Sequence, residues 1–249
     1  IFIDDFEGTR NAIDLRFPLI SWGLASTPGG DGSTLFPESA FRDSLPYGFN
    51  RAKLAWYNIE PVLQDPRSTN NPITDDALLR DPRVRSVKVT EIFRNRTPDF
   101  GQANLITFDM AYYPTERGPY NYDPNVNADG TLPNPQDRWA GIMRGIDQVD
   151  FETGNVEFIE FWLQDPFLKI PASSGGQLYF NLGNISEDVV KDGKRFFENG
   201  ISGAVTQAQE DSATVWGKVP ANPIQVTQAF SNDPSDRPLQ DAGFDGLVG

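Results

Sequence analysis

The chain has 249 residues, 38% hydrophobic and 12% aromatic, which is enough to bury a core, while no apolar run is long enough to cross a membrane as a helix. With 21 Lys and Arg against 35 Asp and Glu, its formal charge of -14 repels phosphate backbones and anionic membranes and argues against nucleic acid as a partner. Neither Cys nor His is present, which removes disulfides, thiolate chemistry, the Ser-His-Asp and Cys-His nucleophile systems and every His-ligated metal.

In chain order, Ile1-Phe2-Ile3-Asp4-Asp5-Phe6 already alternates as a strand does, so the chain reads as a piece cut from a longer protein, and the lack of a signal peptide carries no information about location. Lys53 to Tyr57 predicts a short strand, and Thr74 a cap for a short helix over Asp75 to Arg80 that Pro82 stops. Val84 to Phe93 reads as a strand. Asn104 to Tyr113 does too, with Ile106, Phe108, Met110 and Tyr112 on one face and Leu105, Thr107, Asp109 and Ala111 on the other. Asn155 to Leu163 is apolar on both faces, as a central strand covered on both sides would be, with Trp162 buried. Gly176 to Leu182 and Thr214 to Val219 are further strands, and Ser186 caps a short helix over Glu187 to Lys191. Segments 27–50, 64–76, 114–138 and 220–249 hold 14 of the 20 Pro and 9 of the 22 Gly and read as ordered loops, anchored by aromatics such as Tyr113, Tyr120, Tyr122 and Trp139. Asp129-Gly130 and Asn199-Gly200 are turn dipeptides. The pattern predicts an all-β fold: a β-sandwich, jelly-roll or galactose-binding-like, over residues 1–220, with long inserted loops and few short helices. A loop-rich extension over 221–249 follows it.

Chemistry-bearing residues are sparse. Asp4, Asp5 and Glu7 put three carboxylates on a strand end, where Asp5 and Glu7 share a face and, with carbonyls from a distant loop, suit a structural Ca²⁺. The stretch also resembles the first strand of jelly-roll carbohydrate-binding modules, which often hold calcium there. Asp241 and Asp245 form a weaker calcium loop that lacks the third acid and the bidentate Glu of an EF-hand. Glu157 and Glu160 differ by three along a strand and point to opposite faces, so they do not form the acid pair of a glycosidase, and no catalytic residue emerges. Trp22, Trp56, Trp139 and Trp216 are candidate sugar platforms, although Trp in β-sandwiches more often anchors core or loops.

Eight stretches, in order and over nearly the whole chain, carry a resemblance. They are Asp4-Asp-Phe-Glu-Gly-Thr9, Arg51-Ala-Lys-Leu-Ala-Trp-Tyr57, Glu116-Arg-Gly-Pro-Tyr-Asn-Tyr-Asp123 and Asp129-Gly-Thr-Leu-Pro-Asn-Pro-Gln-Asp-Arg-Trp-Ala-Gly-Ile-Met-Arg144. They continue as Val156-Glu-Phe-Ile-Glu-Phe-Trp-Leu-Gln-Asp-Pro-Phe167, Gly176-Gln-Leu-Tyr-Phe-Asn-Leu-Gly-Asn-Ile-Ser-Glu-Asp188, Trp216-Gly-Lys-Val-Pro220 and Gln240-Asp-Ala-Gly-Phe-Asp-Gly-Leu247. Together they resemble the SprA/Sov family of Bacteroidota, the outer-membrane translocon of type IX secretion and gliding motility. The resemblance implies a very large transmembrane barrel that exports folded, C-terminally tagged cargo and carries soluble insertions between its strands. This chain, poor in ten-residue lipid-facing strands, would be one such insertion: a non-catalytic segment at the outer membrane, facing the cell exterior or the periplasm. Its partners would be the rest of the barrel, other secretion components and secreted cargo; no catalytic residues carry over and no cofactor is required. A carbohydrate-binding β-sandwich module on the cell surface is the competing expectation.

The calcium expectation has a direct test. Ca²⁺ at a hundredfold excess over Kd should stabilise the protein by about 2.7 kcal/mol, with Mg²⁺ a poor substitute. Thermal melting with EDTA and then with either ion checks this, and Asp5→Asn should lose the response.

Overall fold

The computed structural model describes residues 13–29, 34–41, 44–98, 101, 103–147, 150–152, 156–170, 172–173, 175–183, 189, 212–214, 217–219 and 235. Among these the chain is mainly β, with eight strands, three one-turn α-helices and short 3₁₀ turns joined by long loops. The strands are β1 (Gly23–Leu24), β2 (Ala52–Tyr57), β3 (Val87–Lys88), β4 (Asn104–Leu105), β5 (Asp109–Arg117), β6 (Ile142–Met143), β7 (Ser212–Thr214) and β8 (Gly217–Val219). They pair two by two, β1 with β6, β2 with β5, β3 with β4 and β7 with β8. Gly23 stands opposite Met143, Val87 opposite Leu105 and Ser212 opposite Val219, all in antiparallel register. The chain forms two compact units, residues 1–54, 112–145 and 185–249 in the first and 55–111 and 146–184 in the second.

The first unit owes its core to strict alternation at the start of β2. Ala52 and Leu54 are buried and Lys53 between them is exposed. Lys53 reaches across to Glu116 of β5 at 2.7 Å and lies 5.2 Å from the Tyr113 ring. Pro114 interrupts β5 without an N–H to give, which a two-stranded sheet tolerates because one edge of each strand is unpaired by the partner. Leu24, Tyr47, Tyr120, Leu132 and Val189 complete the apolar interior. Tyr120 is buried with a left-handed φ of 62°, a conformation that a bulky side chain adopts only when its surroundings impose it. Gly48 lies so close beneath the Tyr120 carbonyl that any Cβ would collide with it, and Gly118 is pressed in the same way against the Ala52 carbonyl.

Local chemistry decides where the second unit departs from the sequence pattern. Of the strand expected over Val84 to Phe93, only Val87–Lys88 pairs, and Val89–Ile92 turns into a helix. The Glu91 carboxylate accepts the Lys88 N–H at 3.0 Å and binds Arg85 at 2.9 Å, so side-chain bonds close a turn that competes with the ladder. The strand expected over Asn104 to Tyr113 is likewise broken into β4 and β5. Between them the Thr107 hydroxyl donates to Asp109 at 2.9 Å and the Thr107 carbonyl accepts from the Asn58 amide. The expected helix near residue 75 spans Asp76–Leu79, and its cap is Asp75 instead of Thr74, whose neighbour's carboxylate accepts the Ala77 N–H at 2.8 Å. Leu79 and Val89 are buried here. Residues 156–163 and 176–182, expected as strands, form no ladder and stay largely exposed. The expected helix over Glu187 to Lys191 and the Asn199-Gly200 turn lie outside the described residues.

Gly118→Ala should lower stability by about 1–3 kcal/mol, because the new methyl must displace backbone. Gly145→Ala, where a Cβ meets nothing within 4 Å, should stay within about 0.5 kcal/mol of the parent. Urea unfolding of the two variants checks the contrast.

Candidate interaction surface

The first unit carries a buried polar network built from stretches far apart in the chain. Arg51, 2% exposed, places its guanidinium 4.7 Å from the Trp139 ring and donates from Nη1 to the Ala25 carbonyl at 2.6 Å. The Trp139 indole N–H donates to Glu38 Oε1 at 2.6 Å, and the Phe36 ring meets Trp139 edge-on at 5.6 Å. Backbone bonds lock the same residues, Ala52 N–H to the Trp139 carbonyl at 2.8 Å and Trp139 N–H to the Asn50 carbonyl at 3.0 Å. Asn121, fully buried, donates both to the Phe49 carbonyl and to the Arg51 carbonyl, at 2.9 and 2.6 Å. Arg138 joins Asp123 at 3.1 Å and the Phe49 carbonyl at 2.6 Å. These bonds hold the loops in place, while among the described residues the buried Glu38 Oε2 and the Tyr122 hydroxyl have no hydrogen-bond partner. Tyr122 is half-buried beside the network, and the desolvation of its phenol pushes it up to about 12.

Local contacts account for two of the four expected sugar platforms. Trp139 is consumed by packing between Arg51 and Phe36, and Trp22 donates to the Leu15 carbonyl at 2.8 Å beneath Arg144. Trp56 is half-buried on β2, and Trp216 lies outside the described residues. The candidate calcium ligands Asp4, Asp5, Glu7, Asp241 and Asp245 also lie outside them. Among the described residues no group of three acids converges as a metal site would require, and no helix is long and apolar enough to cross a membrane. Asp129-Gly130 makes the expected turn: Gly130 takes φ 82°, and the Asp129 carboxylate accepts from the Thr131 N–H and hydroxyl at 3.0 and 2.6 Å. The hydroxyl and then the N–H of Thr131 lower its pKa.

The residues most available to a partner lie in the second unit, where the sequence placed a covered strand. Residues 156–163 and 176–182 form two arms joined by a tight loop. Phe167 lies close to Gly176 near the loop, and farther out the Phe161 and Phe180 rings meet at 46° with centroids 5.1 Å apart, the order of contacts that antiparallel arms give. Gln177 and Tyr179 contact each other two positions apart, as side chains on one face of an extended chain do. Alternation from these anchors sorts the side chains. That alternation puts Ile159, Phe161, Leu163, Leu178, Phe180 and Leu182 on one largely apolar face, with Glu157 at its end. Phe158, Glu160 and Trp162 share the other with Gln177, Tyr179 and Asn181. Trp162 is 73% and Phe158 80% exposed, the reverse of the buried position expected for Trp162; no described strand lies beside either arm to cover it. Sequence periodicity read both faces as apolar because Phe158 and Trp162 are aromatic. The signal it passed over was the polar company of Glu160, Gln177 and Asn181.

A charged clamp fixes the loop between the arms. Asp81, its side chain 7% exposed, binds Arg83 at 2.9 Å and Lys169 at 2.5 Å. Asp165 accepts the Phe167 N–H at 2.8 Å, which tightens the bend. No protein-family model and no curated protein matches the chain.

The Arg83 guanidinium, followed by Lys169, holds the Asp81 carboxyl well below the usual carboxylate range. Its contribution to stability is therefore complete above the unfolded carboxylate value of about 3.9 and is lost as pH falls below it. Urea midpoints measured from pH 7 down to acid should decline less steeply for Asp81→Asn than for the parent.

Proposed function

We propose that this chain is a non-catalytic segment of an outer-membrane secretion translocon of the SprA/Sov type, serving export of folded cargo to the cell surface. One observation carries the reading. Of the stretches that resemble the family, those beginning at Arg51, Glu116 and Asp129 supply Arg51, Asn121, Asp123, Arg138 and Trp139, which interlock in a single buried network. Residues shared with a family for structural reasons are expected to do this. A jelly-roll or galactose-binding-like sandwich belongs to the same proposal, with residues 156–163 and 176–182 as sheet strands once their apolar face is covered.

That face supports the reading in a second way. Six large apolar side chains on one side of two arms, 41–61% exposed, suit a surface covered by the remainder of a larger assembly. The absence of His and Cys supports a structural role over a catalytic one. A structural calcium at Asp4, Asp5 and Glu7 is part of the proposal.

Introducing Phe161→Asp together with Leu178→Asp into cells that use type IX secretion tests the role. Export of C-terminally tagged cargo and gliding should both fail while the protein persists at its normal level and keeps its circular dichroism spectrum. Unchanged export and gliding would overturn the reading.

A further inference from the structure

We propose that the opposite face of the two arms binds an uncharged oligosaccharide chain, with Trp162, Phe158 and Tyr179 as stacking platforms and Glu160, Gln177 and Asn181 as hydrogen-bonding groups. This does not rest on the secretion reading, because Phe158 and Trp162 are exposed whether or not the apolar face is covered.

The two faces differ in chemistry, and that difference names the ligand. The first is apolar at six positions from Ile159 to Leu182, with Glu157 at one end, and gains chiefly from being shielded from water. The second alternates aromatic rings with two amides and a carboxylate. An acyl chain or an apolar protein face laid over it would bury Glu160, Gln177 and Asn181 without partners, at a cost for each. A ligand that suits this face must offer flat apolar surfaces and many hydroxyls together, which is the chemistry of a pyranose ring. Few exposed aromatics among the described residues rival Phe158 and Trp162, at 80% and 73% exposure, and aromatic rings left this open in water gain most from being covered.

Geometry sets the length of the ligand. Phe158 and Trp162 lie four residues apart along one arm, about 13 Å in an extended chain, which is the reach of several linked sugars and not of one. With Phe161 against Phe180, an antiparallel course of the arms would bring Trp162 towards Tyr179 and Glu160 towards Asn181. The Tyr179 hydroxyl donates to Gln177 Oε1, so the amide N–H groups of Gln177 are the donors that a sugar hydroxyl would meet.

Charge selects among glycans. The face carries Glu160 and no Lys or Arg, in a chain of net charge -14. Acidic polysaccharides are therefore repelled, and so is single-stranded nucleic acid, which would otherwise stack on the same rings.

The test uses the whole chain and isothermal titration with mannohexaose, cellohexaose and laminarihexaose, and with a galacturonic acid oligomer as the charged comparison. At least one neutral hexasaccharide should bind. Trp162→Ala and Phe158→Ala should each weaken that binding by about tenfold or more, with melting temperature unchanged because both rings are exposed. Leu178→Ser, on the other face, should leave it intact. The proposal is overturned if none of the three neutral sugars binds at millimolar concentration, if Trp162→Ala binds as the parent does, or if the galacturonic acid oligomer binds as well as the neutral sugars.

Discussion

Burying a guanidinium costs several kcal/mol unless its surroundings replace the water it loses, and the first unit is organised around meeting that demand for Arg51. The Ala25 carbonyl accepts one of its N–H groups and the electron-rich face of Trp139 lies against its charge. Trp139 can hold that position because Glu38 takes its indole N–H and because Asn50 and Ala52 bond its backbone on both sides. The arrangement explains why residues so far apart in sequence are brought together. Removing any one partner would leave a buried charge or a buried donor exposed to an apolar environment, so the loops around it have little freedom to rearrange. The same logic extends through Asn121, whose amide bridges the Phe49 and Arg51 carbonyls that a chain turning at this point would leave bare.

Much of the local structure was legible in the sequence where neighbours along the chain decide it. Lys53 to Tyr57 was readable as a strand because Lys53 interrupts small and apolar neighbours at the right period. The turn at Asp129-Gly130 was readable because Asp bonds its own backbone and Gly accepts a positive φ. The helix near residue 75 was readable to within its cap, where two adjacent residues compete and the carboxylate of Asp75 prevails over the hydroxyl of Thr74. Expectations failed where side chains intervened, as Glu91 does in ending β3. They failed most clearly for the arms at 156–163 and 176–182. Alternation tells which residues share a face, but it carries no information about whether anything lies above that face.

The polar network and the two arms therefore represent different kinds of hidden information. Arg51 and Trp139 were each visible, but their union depends on a contact between distant stretches that no local pattern encodes. Trp162 was visible too, and its aromatic character pointed inward by default. Its exposure gives meaning to Glu160, Gln177 and Asn181, which would be an inconvenience inside a core and are useful donors and acceptors outside one.

The apolar arms also bear on how the protein behaves as a colloid. A flat pair of arms with six uncovered large side chains and unladdered backbone is the sort of edge along which identical molecules stack. What opposes stacking is the mutual repulsion of chains that each carry a charge of -14. Such repulsion reaches only about 10 Å at 0.1 M salt and shortens further as salt is added. Concentrated salt or mild acid, by screening or neutralising the carboxylates, removes the barrier while leaving the attraction in place, and so favours precipitation of molecules that are still folded.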